Sequence, residues 1–468
     1  MTLDALRLEV PEIRADGSGV PADLLEQLAQ ARQQDLGSAL QRVLGLLFNL
    51  NRSALTLLER QRALQSFSDE FRHYAALTDT RKTPDTLFVH LCSELAIGFK
   101  RLLLQILQGR HPSRPHLAWC LYMAQHFLAQ HLLRNYQLYQ EPPAAIWRDS
   151  HLLYWIGEHQ QCLDEPIAAA FQPRPANTLR GLYQQSLLLA LSNPFHLAEG
   201  ECLLLFVALS PYADLARLLD WDKDDNEDGP TIDLSQPQAY LSQDQQPEGD
   251  VHNLRRLELG ALLVALSEPA PLQSQAEHEL LARVHAHWLG REQRRHERAE
   301  LVGQCNLVIG LSAIHAQLLD QLPPRTTANL LDTSAGGARL LCHRDEGAQL
   351  SVGQLVLLLT DSTPSLALVR WRHLNHAGLH LGLRYLKGLP RPVWLRRTPS
   401  AQTHPGVLQS TPEPGNGWHH GLWLPSGQFV EGEHLWLQLL NIHNQATLPL
   451  PASNLDTPLV SRYPLRLG

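Results

Sequence analysis

Beyond the middle of the chain, four arginines crowd one short stretch: Arg291, Arg294, Arg295 and Arg298. A guanidinium is a planar, permanently charged fork. It meets anionic oxygens two at a time and lies flat on aromatic faces. Further on, Asp332-Thr333-Ser334-Ala335-Gly336-Gly337 offers the complement. Asp332 supplies an acceptor, Ser334 an adaptable hydroxyl, and Gly336 and Gly337 allow a ligand or a backbone to come close. Alone, each cluster has an ordinary reading. Basic residues behind an apparent helix, Gln275 to Leu289, meet the negative end of its dipole, and a DTSAGG run is a common strand-turn-strand signal. Their order and pairing carry more than either part.

The first cluster reads RxxxR (Arg294 and Arg298) and the second reads DxSxxG (Asp332, Ser334 and Gly337). With a β-rich segment behind them, the pair resembles the PilZ family of cyclic di-GMP receptors. The resemblance implies that Arg294, Arg295, Arg298, Asp332, Ser334, Gly336 and Gly337 contact the nucleotide, with Arg291 and Arg370 as additional candidates. Arginine suits the two phosphates and the O6/N7 edge of guanine, and it stacks on the purine faces. The opposite guanine edge presents only donors, which Asp332 can accept, with Ser334 beside it.

The elements that must position these residues follow from hydrophobic patterning. Leu301, Val302, Leu307, Val308 and Ile309 suit a first strand. Ala338–Cys342, Val352–Leu359, Leu366–Trp371 and Leu379–Tyr385 form four more short apolar or alternating runs, separated by Gly, Asp, Ser, Pro and Asn. That spacing argues an antiparallel barrel rather than βαβ units. The VRW…G…LGLRY sequence also looks like the closing strands of a PilZ barrel, so the resemblance spans Trp288 to Arg397. One stretch departs from it: Gly310–Leu319 reads as a helical turn, which would shorten or displace the second strand.

Ahead of the barrel, residues from about 21 to 290 read as helix after helix. Thr83-Pro84-Asp85 is a start signal, and Phe88, Leu91, Leu95, Phe99 and Leu102 recur behind it at helical spacing. Leu117, Leu121, Ala124, Leu128 and Leu132 mark another helix, closed by Pro142-Pro143. Asn177 caps a third, and Ser192-Asn193-Pro194 stops it. His116, His126, His131, His151 and His159 decorate these helices without the i,i+4 ligand pairs of a metal site. Asp224–Gly229 matches the first half of a calcium loop, but Ser235 stands where a glutamate is needed. A solvated connecting loop is expected there. Thr398–Gly415, rich in Pro, Gly, Ser and Thr, is expected to be a loop. The runs Trp418–Leu424, His434–Leu440 and Thr447–Leu450 behind it look like strands too few for a core of their own, packed on the barrel.

The fold expected is multidomain α+β. It comprises an all-α domain of antiparallel helices (1–285, with an acidic loop at 221–250), a PilZ-like antiparallel β-barrel (286–397) and a β-rich extension (398–468). At 468 residues, 44% hydrophobic and 18% charged, the chain has material for more than one core. A net charge of −8 argues against a nucleic-acid-coating protein, since that affinity rests on basic surface. The six cysteines form no CxxC pair and sit among apolar neighbours, as small core hydrophobes do. The N-terminal stretch has no basic and apolar signal pattern, and no run approaches the length of a membrane span, so a cytoplasmic protein is expected. No phosphate-binding GxxxxGK loop, nucleophile elbow or metal-ligand cluster is legible, so no enzymatic activity, metal or cofactor is expected. The sequence therefore reads as a cyclic di-GMP effector whose helical domain offers a protein-partner surface. A nucleotide-independent adaptor and an enzyme with an unrecognised helical site are the alternatives.

Overall fold

The computed structural model describes residues 8–14, 19–80, 86–109, 113–168, 176–222, 229–242, 250–268, 274–290, 299–345, 349–360, 364–398, 400–412, 417–439 and 445–465. The chain divides into two compact units, Met1–Pro194 with Glu199–Glu292, and Phe195–Ala198 with Gln293–Gly468.

The first unit is helical. Its helices are α1 (Leu24–Ala31), α2 (Leu36–Asn51), α3 (Leu57–Thr78), α4 (Thr86–Leu107), α5 (Arg114–Gln137), α6 (Ala144–His159), α7 (Leu179–Leu191), α8 (Glu201–Leu209), α9 (Gly260–Leu266) and α10 (Gln275–Trp288). Local chemistry sets several starts. Thr56 and Glu59 form a capping box on α3, and Ser274 and Glu277 form one on α10, each satisfying donors that a helix start leaves orphaned. Asp35 caps α2 through the Ser38 N–H at 3.0 Å. The third sequence-predicted helix is capped by Thr178, which accepts from the Gly181 N–H, one residue after Asn177. The Thr83-Pro84-Asp85 start signal lies outside the described residues.

Every apolar position expected on α4 and α5 is buried. Helix α5 is buried nearly all round and packs on α4, α6, α7 and α8, so it is the axis of the unit. Phe127 of α5 stacks on Phe99 and meets Phe71 edge-on, and Phe71 stacks on Phe88. Two ion pairs are taken inside, Arg134–Asp79 at 2.6 Å and Lys100–Asp149 at 2.5 Å.

The expectation of an all-helical domain needs a correction. A three-stranded antiparallel sheet, ordered β1-β3-β2, joins this unit through β1 (Arg217–Asp220), β2 (Thr231–Asp233) and β3 (Leu254–Glu258). It flanks much of the acidic stretch, and Ile232, Leu254 and Leu257 bury its apolar side. Strands this short complete too few alternations to register as a period.

Burial drives the side chain of His126 down to about 3 and that of His151 to about 4, below the ordinary imidazole value. Both are neutral in the fold and take a proton once exposed, so the unfolded chain binds more protons between those values and about 6.5. Stability is therefore full above about pH 6.5 and falls as pH drops toward 4, by about 1.4 kcal/mol per unit for each titrating ring. Urea unfolding followed by the helical circular dichroism signal checks this. The midpoint should fall between pH 7.5 and 4.5, and His126→Leu should flatten that slope; an unaltered slope contradicts the assignment.

The second unit opens with a closed six-stranded antiparallel barrel, β4-β5-β6-β9-β8-β7. Its strands are β4 (Ala299–Ile309), β5 (Thr326–Ser334), β6 (Gly337–Cys342), β7 (Leu355–Leu359), β8 (Ser365–Asn375) and β9 (Gly378–Tyr385). Period-two alternation sends Cys305, Leu307, Ala328, Leu330, Ala338, Leu340, Cys342, Val369, Leu381 and Leu383 inward. The helical turn read at Gly310–Leu319 is α11 (Leu311–Leu318). It does not shorten the second strand: β5 begins after it and pairs with β4 from Leu307↔Thr326.

A seven-stranded sheet, β14-β13-β10-β11-β12-β16-β15, follows. Its members are β10 (Leu389–Arg396), β11 (His404–Pro412), β12 (Trp418–Pro425), β13 (His434–Leu439), β14 (Gln445–Pro449), β15 (Leu455–Asp456) and β16 (Val460–Leu465). Strand β10, inside the stretch that resembles a PilZ barrel, thus pairs into this second sheet. Half of the stretch expected to be a loop is β11, a central strand. Pro405 and Pro412 sit near its ends, and Gly406 is required because a Cβ would press on Leu395, Val393 and Leu424. The sheet also has its own core of Val393, Leu395, Leu408, Leu422, Leu435, Leu437 and Tyr463, where none was expected. Its other face buries Val407, Trp423 and Val460 against Val308, Leu357, Leu368 and α11. Among the described residues, no helix is long and apolar enough to cross a membrane.

Candidate functional site

Register sets the start of β4 beside the strand that carries DxSxxG. Ala299, the residue after Arg298, pairs with Thr333, and Glu300 pairs with Asp332. Consecutive Cα atoms are about 3.8 Å apart, so the end of the arginine segment is tethered beside the DxSxxG strand. Arg291, Arg294, Arg295 and Arg298 themselves lie outside the described residues. A bulge between Glu300 and Gly303 interrupts the ladder here, and a second falls between Leu330 and Asp332. Bulges of this kind re-aim side chains at the rims of barrels.

The DxSxxG turn joins β5 to β6, with Ser334 opposite Gly337. The Ser334 hydroxyl donates to the Gly337 carbonyl at 3.3 Å and accepts from the Gly336 N–H at 3.3 Å, so it braces the turn. Thr333 Oγ1 adds a contact of 3.2 Å to the Tyr385 hydroxyl. Gly337 answers to a backbone: a Cβ there would strike the Leu383 carbonyl of β9.

Asp332 is half-buried and lies directly opposite Arg339 of β6. Arg339 in turn lies opposite Gly382 of β9, and Gly382 opposite Trp371 of β8. Directly opposed residues share a face, so Asp332, Arg339, Gly382 and Trp371 form one outward row across four strands. The Trp371 indole rests where a Cβ of residue 382 would be, which is why that position is glycine. Beside this row run Leu341, His380 and His373. Among the described residues, the buried Arg339 Nε meets no acceptor. His380 is held below the usual imidazole range by burial first, then by the charges of Arg339, His373 and His376. The face sets a guanidinium beside a carboxylate and carries a flat indole, so it offers a donor fork, an acceptor and a stacking surface.

Arg370 is the extra residue of a bulge between Val369 and Trp371, half-buried near the same face. Phe195–Ala198, which belongs to this unit, brings the Phe195 ring to 4.6 Å from that of His373 and His196 to 6.5 Å from Trp371. Sequence reasoning missed Arg339, Trp371 and His380. The outward place of Arg339 was legible in the alternation of Gly337–Cys342, whereas the seat of Trp371 on Gly382 needs the register. Among the described residues, no group of three or more His, Cys, Asp or Glu could hold a metal ion, and all six cysteines are buried and free.

Residues 22–224 match the family model described as cyclic-di-GMP receptor FimW, N-terminal domain. The chain is also similar to the cyclic-di-GMP receptor FimW of Pseudomonas aeruginosa, at 24% identity over 359 residues. That alignment covers 68% of this chain and spans 58% of the length of the relative. The family match falls on the helical unit, and the arginine and DxSxxG motifs lie beyond it.

Proposed function

We propose that the chain is a cyclic di-GMP-binding effector. The PilZ-like barrel holds the nucleotide, and the helical unit offers the output surface to a protein partner. Arg294, Arg295 and Arg298, with Arg291 and Arg370 as additional contacts, meet the phosphates and guanine edges. Asp332 accepts from a guanine Watson–Crick edge, with the Ser334 hydroxyl beside it, and Gly336 and Gly337 keep the turn open. The observation that supports this most is the register Ala299↔Thr333, which tethers the RxxxR segment to the DxSxxG strand. The match of residues 22–224 to a cyclic-di-GMP receptor family model, ahead of both motifs, supports it from a separate part of the chain, and the similarity to the receptor FimW agrees with it.

Calorimetric titration with cyclic di-GMP tests the reading. Saturable binding is expected, and no heat at high-micromolar nucleotide would sink it in favour of a nucleotide-independent adaptor.

The arginine segment follows α10 and precedes β4, so a nucleotide gripped by it also constrains the chain between the units. Four guanidinium groups in so short a stretch repel one another until an anion joins them. Saturating cyclic di-GMP should therefore slow amide exchange between Leu289 and Glu300. The nucleotide shifts an arrangement of units only by its difference in affinity for the two states. Unchanged exchange at saturation would show that binding is not transmitted through this segment.

A further inference from the structure

Leu8–Arg14 runs ahead of α1 without secondary structure, across α2, α4 and α6. It is held chiefly by its backbone. The Glu9 N–H donates to Asp149 Oδ1 at 3.3 Å, and the Glu9 carbonyl accepts from Lys100 Nζ at 2.6 Å. Lys100 and Asp149 are themselves paired at 2.5 Å with side chains 5% and 0% exposed, so a buried ion pair grips both polar groups of one residue. Arg101 donates to the Pro11 carbonyl, and the Arg14 N–H donates to the Arg52 carbonyl at 2.8 Å. At the rim, Arg148 pairs with the Glu9 carboxylate. Only Leu8 is buried, at 6%, while Ile13 is 51% exposed.

A segment belonging to the core would be held by apolar burial, with its backbone paired in a helix or sheet. This one is held as a peptide is held in a groove: one aliphatic anchor, charged side chains on successive backbone groups, and an ion pair at the edge. We propose that the groove of α2, α4 and α6 is a peptide-binding site which the chain occupies in cis. Its partner in trans is a non-helical protein segment with an aliphatic residue followed by an acidic one. The aliphatic residue takes the Leu8 pocket, the acidic residue meets Arg148, and Lys100, Asp149 and Arg101 read the backbone whatever the remaining sequence. The proposal stands apart from the nucleotide reading.

The test uses full-length protein in which Leu8→Asp removes the anchor, together with a fluorescent peptide of sequence LRLEVPEIR, copied from residues 6–14. The peptide should bind the variant at least about tenfold more tightly than wild type, because a tethered occupant competes at high effective concentration. Arg148→Glu in the Leu8→Asp background should weaken binding, and a peptide with arginine in place of its glutamate at Glu9 should restore it. Hydrogen exchange on wild type gives a second reading that needs no substitution. Amides of Leu8–Arg14 should exchange through local opening, faster than those of α4 and α5. Equal peptide affinity for variant and wild type, no binding to the variant, or exchange of the segment only with global unfolding would each overturn the proposal.

Discussion

Arg298→Ala is expected to weaken cyclic di-GMP binding by roughly 10- to 150-fold, the equivalent of the about 1.5–3 kcal/mol that a charge-assisted contact contributes. The size of the effect follows from position. Arg298 immediately precedes the residue that pairs with Thr333, so of the four arginines it is the one most tightly bound by chain geometry to the neighbourhood of Asp332. Calorimetry on the variant reads the loss directly. The barrel interior is made of inward-facing apolar residues, so the unfolding midpoint should stay near that of wild type. Arg391→Ala, an exposed arginine on β10, is the control and should leave affinity unchanged. A loss of the same size at Arg391 would mean that general positive charge, and not the motif, draws the nucleotide.

The second large effect is on stability. Trp423 is wholly buried, lies on the face of β12 that packs toward the barrel, and donates its indole N–H to Gln409 Oε1 at 2.9 Å. Trp423→Ala should cost about 3–5 kcal/mol, from lost apolar burial and from the cavity left between sheet and barrel. It also removes the nearer of two donors to Gln409 Oε1, leaving the Arg462 Nε contact at 3.3 Å. Denaturant unfolding of the protein, followed through the β-rich signal, should show the C-terminal unit melting at markedly lower denaturant. A loss below about 1 kcal/mol would mean that the packing of barrel against sheet contributes little to the fold.

What could be read from the sequence depended on how far each pattern ran. Helices α4 and α5 each show several turns of unbroken 3.6-residue period, so all of their expected core positions are inside. Five of the six barrel strands were legible as short apolar or alternating runs ending at turn residues, whereas β5, TTANLLDTS, has no such run of its own. Strand β11 was misread because Pro405, Gly406 and Pro412 give it a loop composition. Yet Gly406 is there because Leu395, Val393 and Leu424 leave no room for a side chain, a reason that exists only once the strands are paired. The candidate site divides along the same line. RxxxR and DxSxxG are local spellings, visible in one dimension. The row Asp332–Arg339–Gly382–Trp371 crosses four strands and is a product of register. Ser334 adds a role that its type alone does not spell, since its hydroxyl also braces the turn that carries the motif.

The strand order β14-β13-β10-β11-β12-β16-β15 also dictates a timetable for the ribosome. Much of the helical unit rests on contacts between successive helices such as α4 and α5, which can form as the chain emerges. The second sheet cannot follow that schedule. Strand β10 has one neighbour, β11, close behind it, but its other, β13, comes only after β12 has been made. Strand β12 waits longer still for β16, with Leu422 paired to Tyr463 and Pro425 to Val460. Until then β10 and β12 each present a raw hydrogen-bonding edge, and the apolar side around Trp423 lacks Val460. Long-range pairing is slow, and exposed edges recruit other chains. A nascent protein stalled before Val460 should therefore hold a finished helical unit beside an adhesive, unfinished sheet, and its yield in cells should depend on how quickly the final strands are delivered.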